Sequence, residues 1–267
     1  MSTVAEMVAE EALVLRQDHG AVATLTLNRP LQYNALSQAM LTALQTALDG
    51  IAKDDSIRVV ILAAKGKAFC AGHDLKEMRA NPDKAYYMAL FNQCSQMMMT
   101  INRLPQSVIA RVQGLATAAG CQLVAACDLA VAVETARFAT SGINVGLFCS
   151  TPAVAVSRNL PRKQAMEMLI TGEFIDAQTA LQWGLVNRVV PAEALDESVK
   201  SLVDAILAKS AVAVATGKQM FYRQLELGLE EAYRYASEVM ACNMMAEDAG
   251  EGIDAFIQKR QPVWRNR

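Results

Sequence analysis

The chain contains few of the residues from which metal sites and disulfide frameworks are built. Its 267 residues include two histidines and six cysteines, and no two cysteines form a CxxC pair. Metal centres and redox motifs need clusters of such residues at short spacing. The sequence therefore predicts no metal site. The six thiols are expected to be reduced, as is typical of a cytoplasmic protein.

Long apolar runs and an excess of basic charge are also missing. No stretch approaches the roughly 18 apolar residues of a membrane span. The formal net charge of −2 gives no reason to expect nucleic acid or an anionic membrane as a partner. Residues 1–11 are acidic and resemble neither a secretory signal nor a transit peptide. We therefore expect a cytoplasmic protein without a membrane span.

Apolar residues, in contrast, are abundant. They make up 53% of the chain, and because aromatics account for only 6%, the excess lies in small and aliphatic side chains. Such a composition suits closely packed helices and leaves apolar surface for contacts between subunits. The length is compatible with one large α/β domain.

Strand and helix patterns alternate over the first 190 residues. Short apolar or alternating runs predict strands at residues 12–16, 22–27, 59–63, 108–112, 129–133, 138–140 and 186–190. A turn is expected at residues 17–20, and helical patterns separate the later strands. From residue 193 onward the pattern is helical throughout. The sequence predicts an α/β core of stacked β-β-α units over residues 1–192 and a helical region over residues 193–267.

Two segments, residues 67–75 (KAFCAGHDL) and 114–122 (GLATAAGCQ), each follow a strand and open a helix. A helix start has free N–H groups and the positive end of the helix dipole, and small residues let a ligand approach the backbone closely. Two such turns facing each other would form an oxyanion hole. A small-residue turn before a helix is also ordinary packing, so either segment alone leaves both interpretations open.

The same residues resemble motifs of the enoyl-CoA hydratase/isomerase (crotonase) superfamily. Residues 69–76 (FCAGHDLK) resemble its F-x-A-G-x-D-L/I-K motif, and residues 118–128 (AAGCQLVAACD) resemble its G-G-G-x-E-L motif with a later C-D. Further similar stretches are 28–36 (NRPLQYNAL), 174–190 (FIDAQTALQWGLVNRVV) and 256–260 (FIQKR). Together with residues 144–150 (NVGLFCS), the second motif is most similar to the enoyl-CoA hydratase domain-containing subgroup.

The resemblance implies a crotonase ββα spiral fold with a C-terminal helical trimerisation region, in trimers or dimers of trimers. It implies an oxyanion hole formed by the backbone N–H groups of His73 and Ala119, for an acyl-CoA thioester in fatty-acid or acyl-CoA metabolism. Coenzyme A is then part of the substrate, and no other cofactor is implied. Its implied contacts are Tyr33, Asn34, Ala35, Ala71, Asp74 and Leu75, with Phe256 and Lys259 reaching the coenzyme A of a neighbouring subunit.

The sequence departs from the family pattern at the two positions where hydratases of the family carry carboxylates. These positions correspond to Gln122 and Gly142. General acid–base catalysis typically contributes about 10²–10⁴ per group. We therefore expect hydration by two carboxylates to be crippled, while binding and polarisation of the thioester persist.

Few other side chains near the motifs could replace the two carboxylates as an acid or base. His73 is a candidate acid or base, and a wall or surface histidine is the more ordinary interpretation, whereas Asp74 is better suited to cap the following helix. We interpret Cys121 and Cys149 as small packing residues rather than as nucleophiles. Three hypotheses stay open: an enzyme of hydratase/isomerase type, a catalytically lapsed acyl-CoA binder or regulator, and another thioester reaction such as hydrolysis or decarboxylation.

Overall fold

The computed structural model describes residues 12–267, so the acidic segment 1–11 considered above lies outside the described residues. A six-stranded sheet forms one layer. Its strands, in spatial order, are β1 (Val14–His19), β2 (Val22–Leu27), β3 (Val59–Ala64), β5 (Ser107–Val112), β7 (Leu129–Val133) and β10 (Arg188–Val190). The hairpin β1–β2 is antiparallel and the remaining pairs are parallel.

A second sheet of four short strands lies beside the first. Its strands, in spatial order, are β4 (Ala68–Cys70), β6 (Leu115–Thr117), β8 (Arg137–Ala139) and β9 (Ile175–Asp176). The first three run parallel, and β9 is antiparallel to β8. Three times, a strand of the first sheet is followed by a strand of the second sheet and then by a helix. The predicted ββα spiral is therefore confirmed.

Helices cover the sheets and end the chain. They are α1 (Gln38–Ile51), α2 (Leu75–Ala80), α3 (Lys84–Arg103), α4 (Ala119–Ala126), α5 (Ser150–Asn159), α6 (Arg162–Thr171), α7 (Ala177–Trp183), α8 (Leu195–Leu207), α9 (Ala211–Gln224), α10 (Leu229–Met244) and α11 (Glu247–Gln258). None of these helices, all within residues 12–267, is both long and apolar enough to cross a membrane.

The core forms where the helices meet the strands. Strand β3 is an unbroken apolar run with five of six residues buried, as expected for a parallel strand covered on both faces. Helix α1 is capped by the Ser37 hydroxyl, which accepts a hydrogen bond from the Met40 N–H. It buries Met40, Leu44 and Leu48, whose four-residue spacing places them on one face of the helix.

The C-terminal helices divide between core and surface. Helix α8 packs on the first sheet and buries Leu195, Val199 and Val203 in the main core. Helices α9 and α10 contain no fully buried residue and expose several large apolar side chains: Phe221, Tyr233, Met240 and Met244. The predicted boundary at residue 193 therefore falls just before a helix that belongs to the core layer, and the exposed helices begin with α9.

Two local features differ from the sequence predictions. The hairpin turn lies at Gly20 and Ala21, because Gly20 adopts the left-handed conformation (φ +58°) and lets β1 continue to His19. Strands β4 and β6 have no counterpart among the predicted strands, since three residues are too few to display an alternating pattern. Both matter for function, because each leads directly into one of the two motif turns.

Candidate active site at two adjoining turns

The two motif turns come together because β4 and β6 are parallel neighbours. Cys70 at the end of β4 pairs with Ala116 in β6, so both chains leave the sheet at the same edge. Gly72 has φ +91°, and a methyl group on it would lie 2.9 Å from the Ala118 Cβ and 3.2 Å from the Ala119 nitrogen. Only glycine combines this conformation with so close an approach.

The backbone N–H groups of His73 and Ala119 have no hydrogen-bond acceptor among residues 12–267. Two adjacent amides are engaged: the Asp74 N–H donates to the Leu36 carbonyl (3.2 Å) and the Ala118 N–H to the Ala139 carbonyl (2.9 Å). Ala119 also opens α4, where the helix dipole is positive. The turns therefore present two free donors on adjoining segments, next to a helix start.

Ala118 connects β6 to α4 in a strained conformation. Its φ of 49° and ψ of −120° lie where residues other than glycine are rare. The neighbouring Thr117 hydroxyl donates to the Ala71 carbonyl (3.0 Å) and ties the two turns together. The strain is maintained by contacts on both sides of Ala118.

The His73 side chain is a neutral wall residue. Its Nε2 is buried without a partner among the described residues, and its ring lies edge-on to Phe91 at 5.3 Å between centroids. Burial lowers the pKa of His73 to about 4. At neutral pH the imidazole is uncharged and has no imidazolium proton to donate.

Gln122 lies in the first turn of α4 and is 4% exposed. Its Oε1 is buried and has no hydrogen-bond partner within residues 12–267. An amide does not titrate near neutral pH. The side chain therefore places hydrogen-bonding capacity, but no exchangeable acid, one helical turn from the Ala119 N–H.

Gly142 lies in a closed loop with no room for a side chain. A methyl group on it would lie 2.6 Å from the Leu147 carbonyl oxygen and 2.8 Å from the Cys149 sulfur. The Leu147 N–H donates to the Gly142 carbonyl (3.0 Å), which closes the loop. The space beside Gly142 is therefore filled by backbone and by Cys149.

The two cysteines near the motifs are protonated at neutral pH. Burial raises the pKa of Cys121 to about 12. Burial also raises the pKa of Cys149, against the opposing effect of the Gly142 N–H. Because the thiolate is the reactive form, this environment supports a packing role for both.

The loop around Asn34 carries three of the residues implied to contact coenzyme A. Tyr33 is exposed and Ala35 is half-buried. The buried Asn34 adopts φ 55°, and its side chain accepts from the Arg29 N–H and donates to the Lys65 and Ala68 carbonyls (2.8–2.9 Å). The Asn34 amide is thus committed to holding the loop.

Asp74 caps α2, as expected, by accepting from the Lys76 and Glu77 N–H groups. It also pairs with Arg29 at 2.7 Å. Burial by itself would raise the pKa of Asp74, but the Arg29 and backbone hydrogen bonds outweigh it and hold the pKa below its usual value. The Leu75 side chain beside it is exposed.

Phe256 and Lys259 lie away from the two turns. Helix α11, which carries Phe256, packs against α9 and α10. Phe256 is 84% exposed, and Lys259 ends the helix with φ 55°. One chain therefore does not bring these two residues to the site.

Sequence reasoning missed three residues that build the site. Arg29 bridges the Asn34 loop and Asp74, Thr117 ties the two turns, and Phe91 packs on His73. Arg29 and Thr117 lie within or beside the recognised motifs. Phe91 lies on the long helix α3, and only the fold reveals its contact.

Comparison with known proteins defines the class. A family model described as enoyl-CoA hydratase/isomerase matches residues 17–267, and the chain belongs to this family. Among solved structures, an enoyl-CoA hydratase from Mycobacterium smegmatis superposes with a TM-score of 0.94 at 60% identity, covering 95% of this chain and 99% of that one.

The subgroup resemblance is also confirmed. The chain is 51% identical over 251 residues to enoyl-CoA hydratase domain-containing protein 3, mitochondrial, from Xenopus laevis, covering 94% of this chain and 85% of the relative. The structure of the human enoyl coenzyme A hydratase domain-containing protein 3 gives a TM-score of 0.91 at 46% identity, covering 94% of this chain and 100% of that one.

The expected cytoplasmic location is wrong. The relatives from Xenopus laevis, Rattus norvegicus and Homo sapiens are named as mitochondrial proteins. Reduced cysteines indicate a reducing environment, which more than one compartment provides. The expected state of the thiols therefore could not distinguish the cytoplasm from another reducing compartment.

Proposed function

We propose that the protein binds an acyl-CoA thioester and polarises its carbonyl between the backbone N–H groups of His73 and Ala119. The observation that carries this proposal is the pair of free donors on two turns pressed together by Gly72. Membership of the enoyl-CoA hydratase/isomerase family supports the same ligand class.

The two donors act on charge that develops on the thioester oxygen. As the acyl group moves toward an enolate or a tetrahedral species, this oxygen becomes negative. Fixed donors at a helix N-terminus stabilise that charge without reorganising. Gly72 and Thr117 hold the two turns in register and so keep the donors in place.

Proton transfer is the step for which the site is poorly equipped. Gln122 and Gly142 carry no carboxylate, and burial keeps the His73 imidazole neutral. These observations favour a second candidate function, an acyl-CoA holder without catalysis. Hydrolysis or decarboxylation of a thioester would also use the two donors without the two carboxylates.

Coenzyme A contacts and self-association are part of the proposal. Tyr33 and Leu75 are exposed beside the turns. Phe256 and Lys259, at the end of α11, would reach the ligand of a neighbouring subunit. The exposed apolar side chains of α9 and α10 support association into trimers or dimers of trimers.

The decisive variant is Ala119→Pro, which removes one N–H donor. Proline is tolerated at the first position of a helix, so α4 is expected to persist. The absorption of a conjugated acyl-CoA, hexadienoyl-CoA, should shift to longer wavelength on binding to the wild type and not to the variant. Any turnover should fall about 10²–10³-fold. Ala118→Gly, which keeps every N–H of the turn, is the matched control.

Parallel assays separate the candidate functions. Loss of crotonyl-CoA absorbance marks hydration or isomerisation, release of free coenzyme A marks hydrolysis, and binding without either marks a holder. Equal spectral shift and equal turnover in Ala119→Pro and in the wild type would exclude the proposed oxyanion hole.

A further inference from the structure

The direction of the His73 N–H is set by a hydrogen bond from another segment of the chain. This N–H and the Gly72 carbonyl belong to one planar trans peptide, in which the two groups point in opposite directions. The Gly72 carbonyl accepts a hydrogen bond from the Leu36 N–H at 2.8 Å. The His73 N–H therefore points away from the segment that carries Leu36, and it keeps that direction as long as this bond is made.

The Ala119 donor is held in a different way, by its own helix. The Ala118 carbonyl shares a peptide with the Ala119 N–H and accepts from the Gln122 N–H at 3.0 Å, within the first turn of α4. The two donors thus have separate supports. Helix α4 orients the Ala119 N–H, whereas the segment that carries Leu36 orients the His73 N–H.

Arg29 fastens the segment that carries Leu36 to the first motif turn. Its Nη1 donates to the Asp74 carboxylate at 2.7 Å and to the Ala35 carbonyl at 3.4 Å. Ala35 precedes Leu36 and Asp74 follows His73, so the guanidinium spans the parallel bridge between Leu36 and His73. The paired side chains are only 25% and 13% exposed. Solvent therefore screens this ion pair less than it screens a pair on the surface.

The Asp74 carboxylate is fixed on the other side of this ion pair. Its Oδ1 accepts from the Lys76 and Glu77 N–H groups at 3.0 and 3.2 Å and caps α2, while its Oδ2 accepts from Arg29. The Asp74 N–H also donates to the Leu36 carbonyl at 3.2 Å. Arg29 is therefore anchored to a helix start, and this anchor holds it against the bridge.

We propose that Arg29 is a positioning residue, which holds the Leu36 segment in place and thereby aims the His73 N–H at the thioester oxygen. This inference rests on the proposed oxyanion hole and names the side chain that controls the strength of one of its donors. Arg29 needs no contact with the ligand for this role. Loss of the guanidinium loosens the bond between Leu36 and Gly72 and misdirects one donor, while the Ala119 donor stays in place.

The test measures the wavelength shift of fully bound hexadienoyl-CoA, because this shift reports the polarisation of the carbonyl and not the affinity. In Arg29→Met the shift should fall to about half of the wild-type value or less, since one of two donors is misdirected. Arg29→Lys, which keeps the charge, should recover part of the shift. Arg16→Met is the matched control. Arg16 lies on β1, is 31% exposed and pairs with Asp18 and Asp54, and its variant should give the full shift.

Asp74→Asn tests the same ion pair from the other side. The asparagine oxygen still caps α2, but an amide group replaces the carboxylate oxygen that accepts from Arg29. The shift should fall as it does in Arg29→Met. Because both changes break one interaction, the double variant Arg29→Met/Asp74→Asn should lose no more of the shift than either single variant.

A full shift of the bound ligand in Arg29→Met, or an equal loss in Arg16→Met, would overturn the proposal, because Arg29 would then contribute only general stability. If Arg29→Met does not fold, Arg29→Lys and Asp74→Asn decide, and a full shift in both would overturn it. Absence of any shift in the wild type would instead remove the proposed oxyanion hole itself.

Discussion

At the scale of single residues, the buried His73 imidazole contributes to the loss of stability in acid. Its pKa is about 4 in the folded chain, below the ordinary value of 6.5. As pH falls from 6.5 toward 4, the unfolded chain takes up this proton and the folded chain does not, so stability is lost on the acid side. Near pH 5 this one group lowers the free energy of unfolding by about 1–2 kcal/mol.

His73→Phe should therefore lose less stability than the wild type between pH 7.5 and pH 5, by about 1–2 kcal/mol in urea unfolding. Identical pH dependence in His73→Phe and in the wild type would show that the imidazole is not sheltered as the structure indicates.

Single residues also show what sequence does and does not reveal. The capping role of Asp74 was predictable, because it depends on the next three residues alone. The role of Asn34 was not, since its amide bonds to carbonyls more than 30 residues away. The motif match implied a coenzyme A contact at Asn34, which stays a prediction, and did not indicate that its side chain holds the loop.

At the scale of elements, the loop from Ser141 to Cys149 fills the space beside Gly142 with the Leu147 carbonyl and the Cys149 sulfur. Gly142→Ala should destabilise the protein by about 1–3 kcal/mol, because its methyl group would overlap the Leu147 carbonyl. Gly217→Ala is the matched control. Gly217 lies within α9 with open space around it, so the change should be neutral or stabilising by up to about 1 kcal/mol.

Urea unfolding of the two glycine variants measures this difference. Equal changes in the free energy of unfolding would show that the loop rearranges to accommodate a Cβ at position 142. If Gly142→Ala is costly as expected, a carboxylate cannot be installed at position 142 without rebuilding the segment up to Cys149. The resemblance predicted a missing carboxylate at position 142 but not the filled space, because Leu147 and Cys149 are brought against Gly142 only by the fold of the loop.

At the scale of the whole molecule, a buried ion pair fastens α9 to the sheet. Lys218 lies 2.7 Å from Asp128, and their side chains are 6% and 14% exposed. The Tyr222 hydroxyl also donates to Asp128 (2.8 Å). Burial lowers the pKa of Lys218, and Asp128 opposes that shift. The pair joins residues 90 positions apart, which no local pattern predicts.

Lys218→Met should lower the free energy of unfolding by about 3–5 kcal/mol, because it leaves Asp128 buried and uncompensated. Adding Asp128→Asn should recover part of that loss. Lys200→Met, which breaks the exposed pair with Asp204, should change stability by less than about 1 kcal/mol. Similar losses in Lys218→Met and Lys200→Met would contradict a fastening role for the buried pair.

The longer strands, the helical tail and the two motif turns were thus accessible from periodicity and small-residue patterns, because each arises within some 20 residues. The pairing of β4 with β6, which brings Gly72 against Ala118, was accessible only by resemblance. No run of three residues specifies its partner strand.

The two free donors are backbone N–H groups, and this affects which functions the protein can lose by mutation during evolution. Every amino acid except proline supplies the same N–H at positions 73 and 119, so mutation rarely erases the donors. The acids that would complete a reaction are side chains, each removable by a single base change. Under the proposed function, lineages on this scaffold can therefore lose one chemistry and acquire another while the two donors are inherited unchanged.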